Sequence, residues 1–188
     1  MTNDEATIAV VSALEAANLP YMVVGSLSSN AYGISRATKD ADLVVIAKSS
    51  ELLAIIRSLG PEFRMDPQLS LESVTGTTRS IVELPANGFS IELFRLSTDP
   101  HDQERFRRRR RVMHPQLLRE TFIPTPEDVI VTKLRWALVG GRGKDRDDVR
   151  DVIAVQGEFL DWSYIKEWAR QHGTEVLLEE IQSKIPPP

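Results

Sequence analysis

The chain has 188 residues, 41% of them apolar and 27% charged, with a formal net charge of −4. That is about one domain's length, enough to bury roughly two-thirds of the unfolded surface in a real core. Cysteine is absent, which excludes a disulfide framework, cysteine-ligated zinc, iron–sulfur clusters and thiol catalysis.

A negative balance does not mark a nucleic-acid binder, although arginine outnumbers lysine among the 23 basic residues and favours bidentate contacts to phosphate or carboxylate. No basic residue precedes Arg36, so no signal leader is expected. The longest wholly apolar run, Leu43–Ala47, falls far short of the ~20 residues that cross a bilayer. A cytoplasmic protein with no membrane partner is therefore expected.

In chain order, Ile8, Val11 and Leu14 recur at helical spacing and predict a helix over 4–17, closed by Asn18 and Pro20. Tyr21–Val24 reads as a short strand ended by Gly25-Ser26, and 28–32 as a turn or two of helix stopped by Gly33. After a polar loop, Asp40–Ala47 alternates and then becomes continuously apolar, as a central strand does. A serine-capped helix follows to Leu59, where Gly60-Pro61 breaks it. Ser80–Leu84 and Phe89–Leu96 are strands joined through Asn87-Gly88, a strong hairpin signal because both residues tolerate positive φ.

Residues 97–103 read as loop, and Arg105–Arg111 as a basic helix ending before Pro115. From Thr125-Pro126-Glu127-Asp128 the pattern is helical: a hydroxyl cap, proline in the first turn and acids at the positive dipole end. Four helices are expected, over about 125–139, 144–155, 161–171 and 174–186. The expected class is α+β: a mixed sheet with flanking helices over 1–112, then a helical lobe over 113–188, with the boundary inside 112–124.

Asp40 and Asp42 open a strand. Side chains two apart on a strand share a face, so two carboxylates stand about 7 Å apart at their Cα atoms and repel. A core has no use for such a pair, whereas a hard divalent cation does. Asp-x-Asp alone is more often turn chemistry, so the surroundings matter. In Phe89–Phe94, alternation puts Ser90, Glu92 and Phe94 on one face, which makes Glu92 a charge inside an otherwise apolar strand. Three such acids can hold two metal ions ~3.5–4 Å apart. Upstream, Gly25 lets a phosphate approach the backbone, the Ser26 hydroxyl can bond a phosphate oxygen, and the helix start offers free N–H groups.

Val23-Val24-Gly25-Ser26, Asn30-Ala31-Tyr32-Gly33 and Arg36-Ala37-Thr38-Lys39-Asp40-Ala41-Asp42-Leu43-Val44-Val45 together resemble the core motif of the DNA polymerase beta-like nucleotidyltransferase superfamily. More narrowly, they resemble its small bacterial branch of abortive-infection and type IV toxin-like enzymes. The resemblance implies that Gly25 and Ser26 bind the phosphates of a nucleoside triphosphate such as ATP. It also implies that Asp40 and Asp42 bind two Mg²⁺ (or Mn²⁺) ions and that Glu92 completes the site, with Glu83 in reserve. The helices are similar too. Thr125–Leu134 and Lys144-Asp145 with Asp148-Val149 imply that Lys133 reaches the triphosphate and Asp148, or Asp145, supports it. The implied reaction moves a nucleoside monophosphate to an acceptor hydroxyl on a tRNA end, a protein or a small molecule, with release of pyrophosphate. Kinship to the toxin-like branch adds a cognate antitoxin as a partner. The alternative is an inactive nucleotide- or RNA-binding regulator that retains the fold.

Other motifs carry less. Six arginines between Arg105 and Arg111 are either a solvated face or a phosphate contact. Gly140-Gly141-Arg142-Gly143-Lys144 lacks P-loop spacing and follows a helix. His101, His114 and His172 show no metal-ligand spacing, and Trp136 reads as packing rather than a base-stacking platform.

Overall fold

The computed structural model describes residues 1–66, 68–141 and 143–186; Arg142 of the glycine-rich turn and the last two prolines lie outside them. Helix α1 (Asn3–Ala16) starts on a Thr2–Glu5 capping box. Strand β1 (Tyr21–Val24) runs directly into α2 (Gly25–Tyr32), and β2 (Asp40–Val45) is followed by α3 (Ser49–Ser58). Two short strands, β3 (Arg64–Met65) and β4 (Ser70–Glu72), precede the hairpin of β5 (Thr77–Leu84) and β6 (Phe89–Arg95). The sheet order is β1-β2-β6-β5-β3, with β4 also on β5. β2 and β6 run parallel and the other pairs antiparallel.

Strand alternation divides the sheet. Val23, Leu43, Val45, Ile91 and Leu93 are wholly buried on the back, against Val10 and Leu14 of α1 and Leu52 and Ile56 of α3. Each such side chain contributes about 1.5–3 kcal/mol through removal from water. The intervening residues, Asp40, Asp42 and Glu92 among them, fall on the front.

The basic run breaks where a continuous helix was expected. Helix α4 (Pro100–Arg108) starts inside the expected loop on an Asp99 cap, and Arg109 turns the chain into strand β7 (Arg110–His114). Extended backbone sends successive arginines to opposite faces, whereas a helix would stack like charges at i, i+3 and i+4. Arg109 lies over the rings of Phe106 and Phe122, at 4.1 and 5.1 Å. β7 pairs with β8 (Arg119–Ile123), so the segment in which the lobe boundary was expected is a hairpin. It docks on the first lobe through Tyr21 and Phe122, whose ring centroids are 5.7 Å apart edge to face, and through buried Ile123.

Helices α5 (Pro126–Gly140), α6 (Gly143–Gln156), α7 (Trp162–His172) and α8 (Glu175–Gln182) enclose a second core around Ile130, Leu134, Val149, Val152, Ile165 and Leu178. The halves meet at Tyr32, which packs on both cores and donates to the Pro124 carbonyl at 2.9 Å. Among the described residues, no helix is long and apolar enough to cross a membrane.

A buried network ties α4, α5 and α7 together around Asp128. Its carboxylate accepts from Tyr164 Oη at 2.5 Å, Thr125 Oγ1 at 2.8 Å and Arg108 Nε at 3.1 Å, and His101 Nε2 stands 3.3 Å away. Burial opposes ionisation, but the donors His101, Tyr164 and Thr125 outweigh it and hold the pKa of Asp128 down to about 2. A depressed carboxylate stabilises the fold above its unfolded pKa, and that stability is lost as pH falls through the folded value. Asp128→Asn should therefore cost about 2 kcal/mol at pH 7, with the difference shrinking between pH 4 and 2. Urea unfolding of both proteins across that range checks this.

Candidate active site

The front of the sheet brings the predicted acids together by register. Asp42 lies between Val24 of β1 and Glu92 of β6, and Asp40 lies opposite Ser90. Paired residues share a face, so Asp40, Asp42 and Glu92 all project into one cleft between the sheet and α5–α6, whose lining includes all three. Thr38 Oγ1 donates to Asp40 Oδ1 at 2.8 Å and fixes that carboxylate at the strand entry. Burial, then the negative charge of Asp40 and Glu92, pushes the Asp42 pKa up to about 7, against the pull of Lys133 and Lys144. At Asp42 the two acidic neighbours thus outweigh the nearby lysines, and this donor set suits hard divalent cations. Glu92 is drawn aside into an ion pair with Arg79. As the side chains stand, no group of three acids or histidines among the described residues closes into a metal cage.

Glu83, the reserve for Glu92, also faces the front, opposite Ser90. Distance decides between them. Glu83 is two strands from Asp40, about 9.5 Å at the usual spacing, exposed, and not among the cleft-lining residues.

Gly25 explains the close approach of the turn. Its φ is +63°, and a Cβ there would sit 2.0 Å from Asp42 Oδ2. The strand and the next helix therefore join without spacer, directly against the carboxylate, and Gly25 and Ser28 of α2 line the cleft. Gly25→Ala adds left-handed strain of about 1–2 kcal/mol and displaces Asp42. A lowered melting temperature in differential scanning calorimetry is the expected result.

The two serines of the turn are placed differently. Ser26 is buried, its hydroxyl accepts from Arg36 Nη2 at 2.9 Å, and it does not line the cleft. Ser28 does, with its hydroxyl donating to the Gly25 carbonyl at 2.9 Å.

Lys133, buried on α5, faces the cleft between two α6 acids: Nζ lies 2.8 Å from Asp145 Oδ1 and 2.8 Å from Asp148 Oδ2. The sequence offered these acids as alternatives, and the helix uses both. They divide the work, since Asp145 lines the cleft while Asp148 is forked by Arg36, Nε to Oδ1 at 2.8 Å and Nη2 to Oδ2 at 3.0 Å. Burial opposes Asp148 ionisation, but Arg36 and Lys133 prevail and hold its pKa below the usual carboxylate value. Arg36 thereby couples the Gly25-Ser26 turn to Lys133, a role that nothing in its polar loop signalled beyond proximity to Asp40.

Of the basic run, Arg105 lines the cleft, buried and paired with Asp102 at 2.7 Å. Arg108 instead lies 3.9 Å over the Tyr164 ring. Trp136, expected in packing, is half-buried and lines the cleft.

No protein-family model matches this sequence, and no curated protein does. Solved structures do. The solution structure of the antibiotic-resistance factor ANT(2'')-Ia superposes with a TM-score of 0.63 at 16% identity over 96% of each chain. A crystal structure of ANT(2'')-Ia in complex with adenylyl-2''-tobramycin gives 0.62 at 16% identity, covering 99% of this chain and 100% of that one. JHP933 from Helicobacter pylori gives 0.50 at 13% identity over 97% and 93%. The chain therefore has the α+β fold of nucleotidyltransferases, with a mixed sheet and flanking helices.

Proposed function

We propose that the protein is a metal-dependent nucleotidyltransferase. In this reading an acceptor hydroxyl attacks the α-phosphorus of a nucleoside triphosphate in line, and pyrophosphate leaves. The observation that carries the reading is the convergence on one cleft of Asp40, Asp42, Glu92, the glycine turn at Gly25 and buried Lys133. Asp40, Asp42 and Glu92 are the residues that would hold two divalent cations, Mg²⁺ or Mn²⁺. Bound there, the cations would supply charge neutralisation on the phosphate oxygens and a more acidic acceptor hydroxyl.

The chain's own residues supply the rest. The α2 N–H groups beyond Gly25 cradle phosphate oxygens. Lys133 offers a positive charge to the triphosphate, and Asp145 and Asp148 hold its amine in place. Arg36 keeps the turn and Lys133 in register through Ser26 and Asp148. Catalysis is then positioning and electrostatics.

The fold neighbour crystallised with adenylyl-2''-tobramycin makes a small-molecule hydroxyl one acceptor to try, beside tRNA ends and protein hydroxyls. A tRNA or protein acceptor would fit the toxin-like branch and its cognate antitoxin. The test is Mg²⁺-dependent transfer from α-³²P-labelled triphosphates to this acceptor panel, with an Asp40→Ala/Asp42→Ala double variant as control. Transfer abolished in the double variant supports the proposal. Nucleotide binding without transfer to any acceptor supports a non-catalytic regulator instead.

A further inference from the structure

Glu92 is already engaged before any cation or nucleotide arrives. Its Oε2 forms an ion pair with Nη1 of Arg79 on β5. The register brings the two together: Glu92 faces Ile81 directly, and Arg79 stands one pair further along the same face, opposite Phe94. A diagonal neighbour of this kind is within reach of a long side chain. The guanidinium carbon lies 5.7 Å from the Phe94 ring centroid, and Nε is buried without a hydrogen-bond partner. Two other cations of the cleft are committed elsewhere, Lys133 to Asp145 and Asp148 and Arg105 to Asp102.

We infer that Arg79 is an internal counter-ion that holds Glu92 in the free protein and must release it before Glu92 can ligate a divalent cation. This rests on the reading of Asp40, Asp42 and Glu92 as cation ligands. The physical argument is competition for one carboxylate. By neutralising Glu92, Arg79 relieves the repulsion among the three acids, and it occupies the oxygen a cation would take. Its pairing is incomplete, because the buried Nε–H still lacks an acceptor. A second anion in the same cleft, the triphosphate, can draw the guanidinium away. Arg79 therefore acts as a positioning residue: it keeps cation affinity low until nucleotide is present, a coupling between the two ligands.

The test uses Mn²⁺ alone as the probe, with free Mn²⁺ read by electron paramagnetic resonance and no nucleotide in solution. Arg79→Met keeps the stem against Phe94 and removes the charge; it should bind Mn²⁺ about tenfold tighter than the native chain, the scale of one partly buried ion pair. Arg79→Gln should give the same gain if the Met variant fails to fold. Lys144→Met removes an equal charge from an exposed residue lining the same cleft, and should change affinity less than threefold. Unchanged or weaker binding in both Arg79 variants, or an equal gain in Lys144→Met, overturns the inference. Failure of the underlying reading looks different: Asp42→Asn would then bind Mn²⁺ as well as the native chain does.

Discussion

Asp42→Asn should lower nucleotidyl transfer by roughly 10³-fold or more, the scale seen when one charged or donor group is removed from a preorganised phosphoryl-transfer site. Its melting temperature should not fall. Both outcomes follow from the position of Asp42. It lies beside Glu92 and two residues from Asp40 on the front face, with burial and two negative neighbours opposing its charge. Replacing the carboxylate by an amide of the same shape relieves that repulsion and leaves the wholly buried back face of β2, Leu43 and Val45, untouched. A structural acid would behave in the opposite way, losing stability and leaving turnover intact. Rate measurements beside differential scanning calorimetry on the same preparation separate the two.

Lys133→Met is the second large effect and divides the roles of the α6 acids. Without the amine, Asp145 loses the cation on Oδ1, while its Oδ2 already lacks a partner. Asp148 keeps the Arg36 fork. An uncompensated buried carboxylate costs about 3–5 kcal/mol. The single variant should therefore unfold at clearly lower denaturant. The double variant Lys133→Met/Asp145→Asn should recover most of that loss, because the strain lies in Asp145 and not in the missing packing. Triphosphate affinity should stay weak in both, since neither restores a cation in the cleft. Recovery of nucleotide binding in the double variant would mean that Lys133 serves the fold alone.

What could be read from the chain, and what could not, follows from the range of each interaction. Asp40 and Asp42 were legible because strand alternation is local: the next residues, Leu43–Val45, had to be buried, so the acids had to mark the entry and face of that strand. Glu92 was legible for the same reason, as the odd charge between Ile91 and Leu93. The hairpin turn at Asn87-Gly88 also came through, with Gly88 at φ +62° and the ladder resuming at Leu84 and Phe89.

Non-local pairing was not legible. That β2 lies beside β6 depends on burial of two distant apolar runs, and that pairing alone sets Glu92 next to Asp42. Arg79 and Glu92 meet only through the register of the hairpin, and Thr77–Arg79 lack the apolar alternation that would have extended β5 to its full length. The arginine run concealed β7, since a string of like residues carries no period. The Ser26 hydroxyl accepts from Arg36, which arrives from a loop ten positions on, a pairing no local pattern foretells.

One cleft should hold both the acids' cations and the nucleotide's phosphates. A crystal structure with Mg²⁺ and a non-hydrolysable nucleoside triphosphate tests it most directly. Phosphate oxygens are expected against the backbone after Gly25 and near Lys133, with cations held by Asp40, Asp42 and Glu92. A nucleotide bound elsewhere, or one in the cleft with no cation on these three carboxylates, would contradict it.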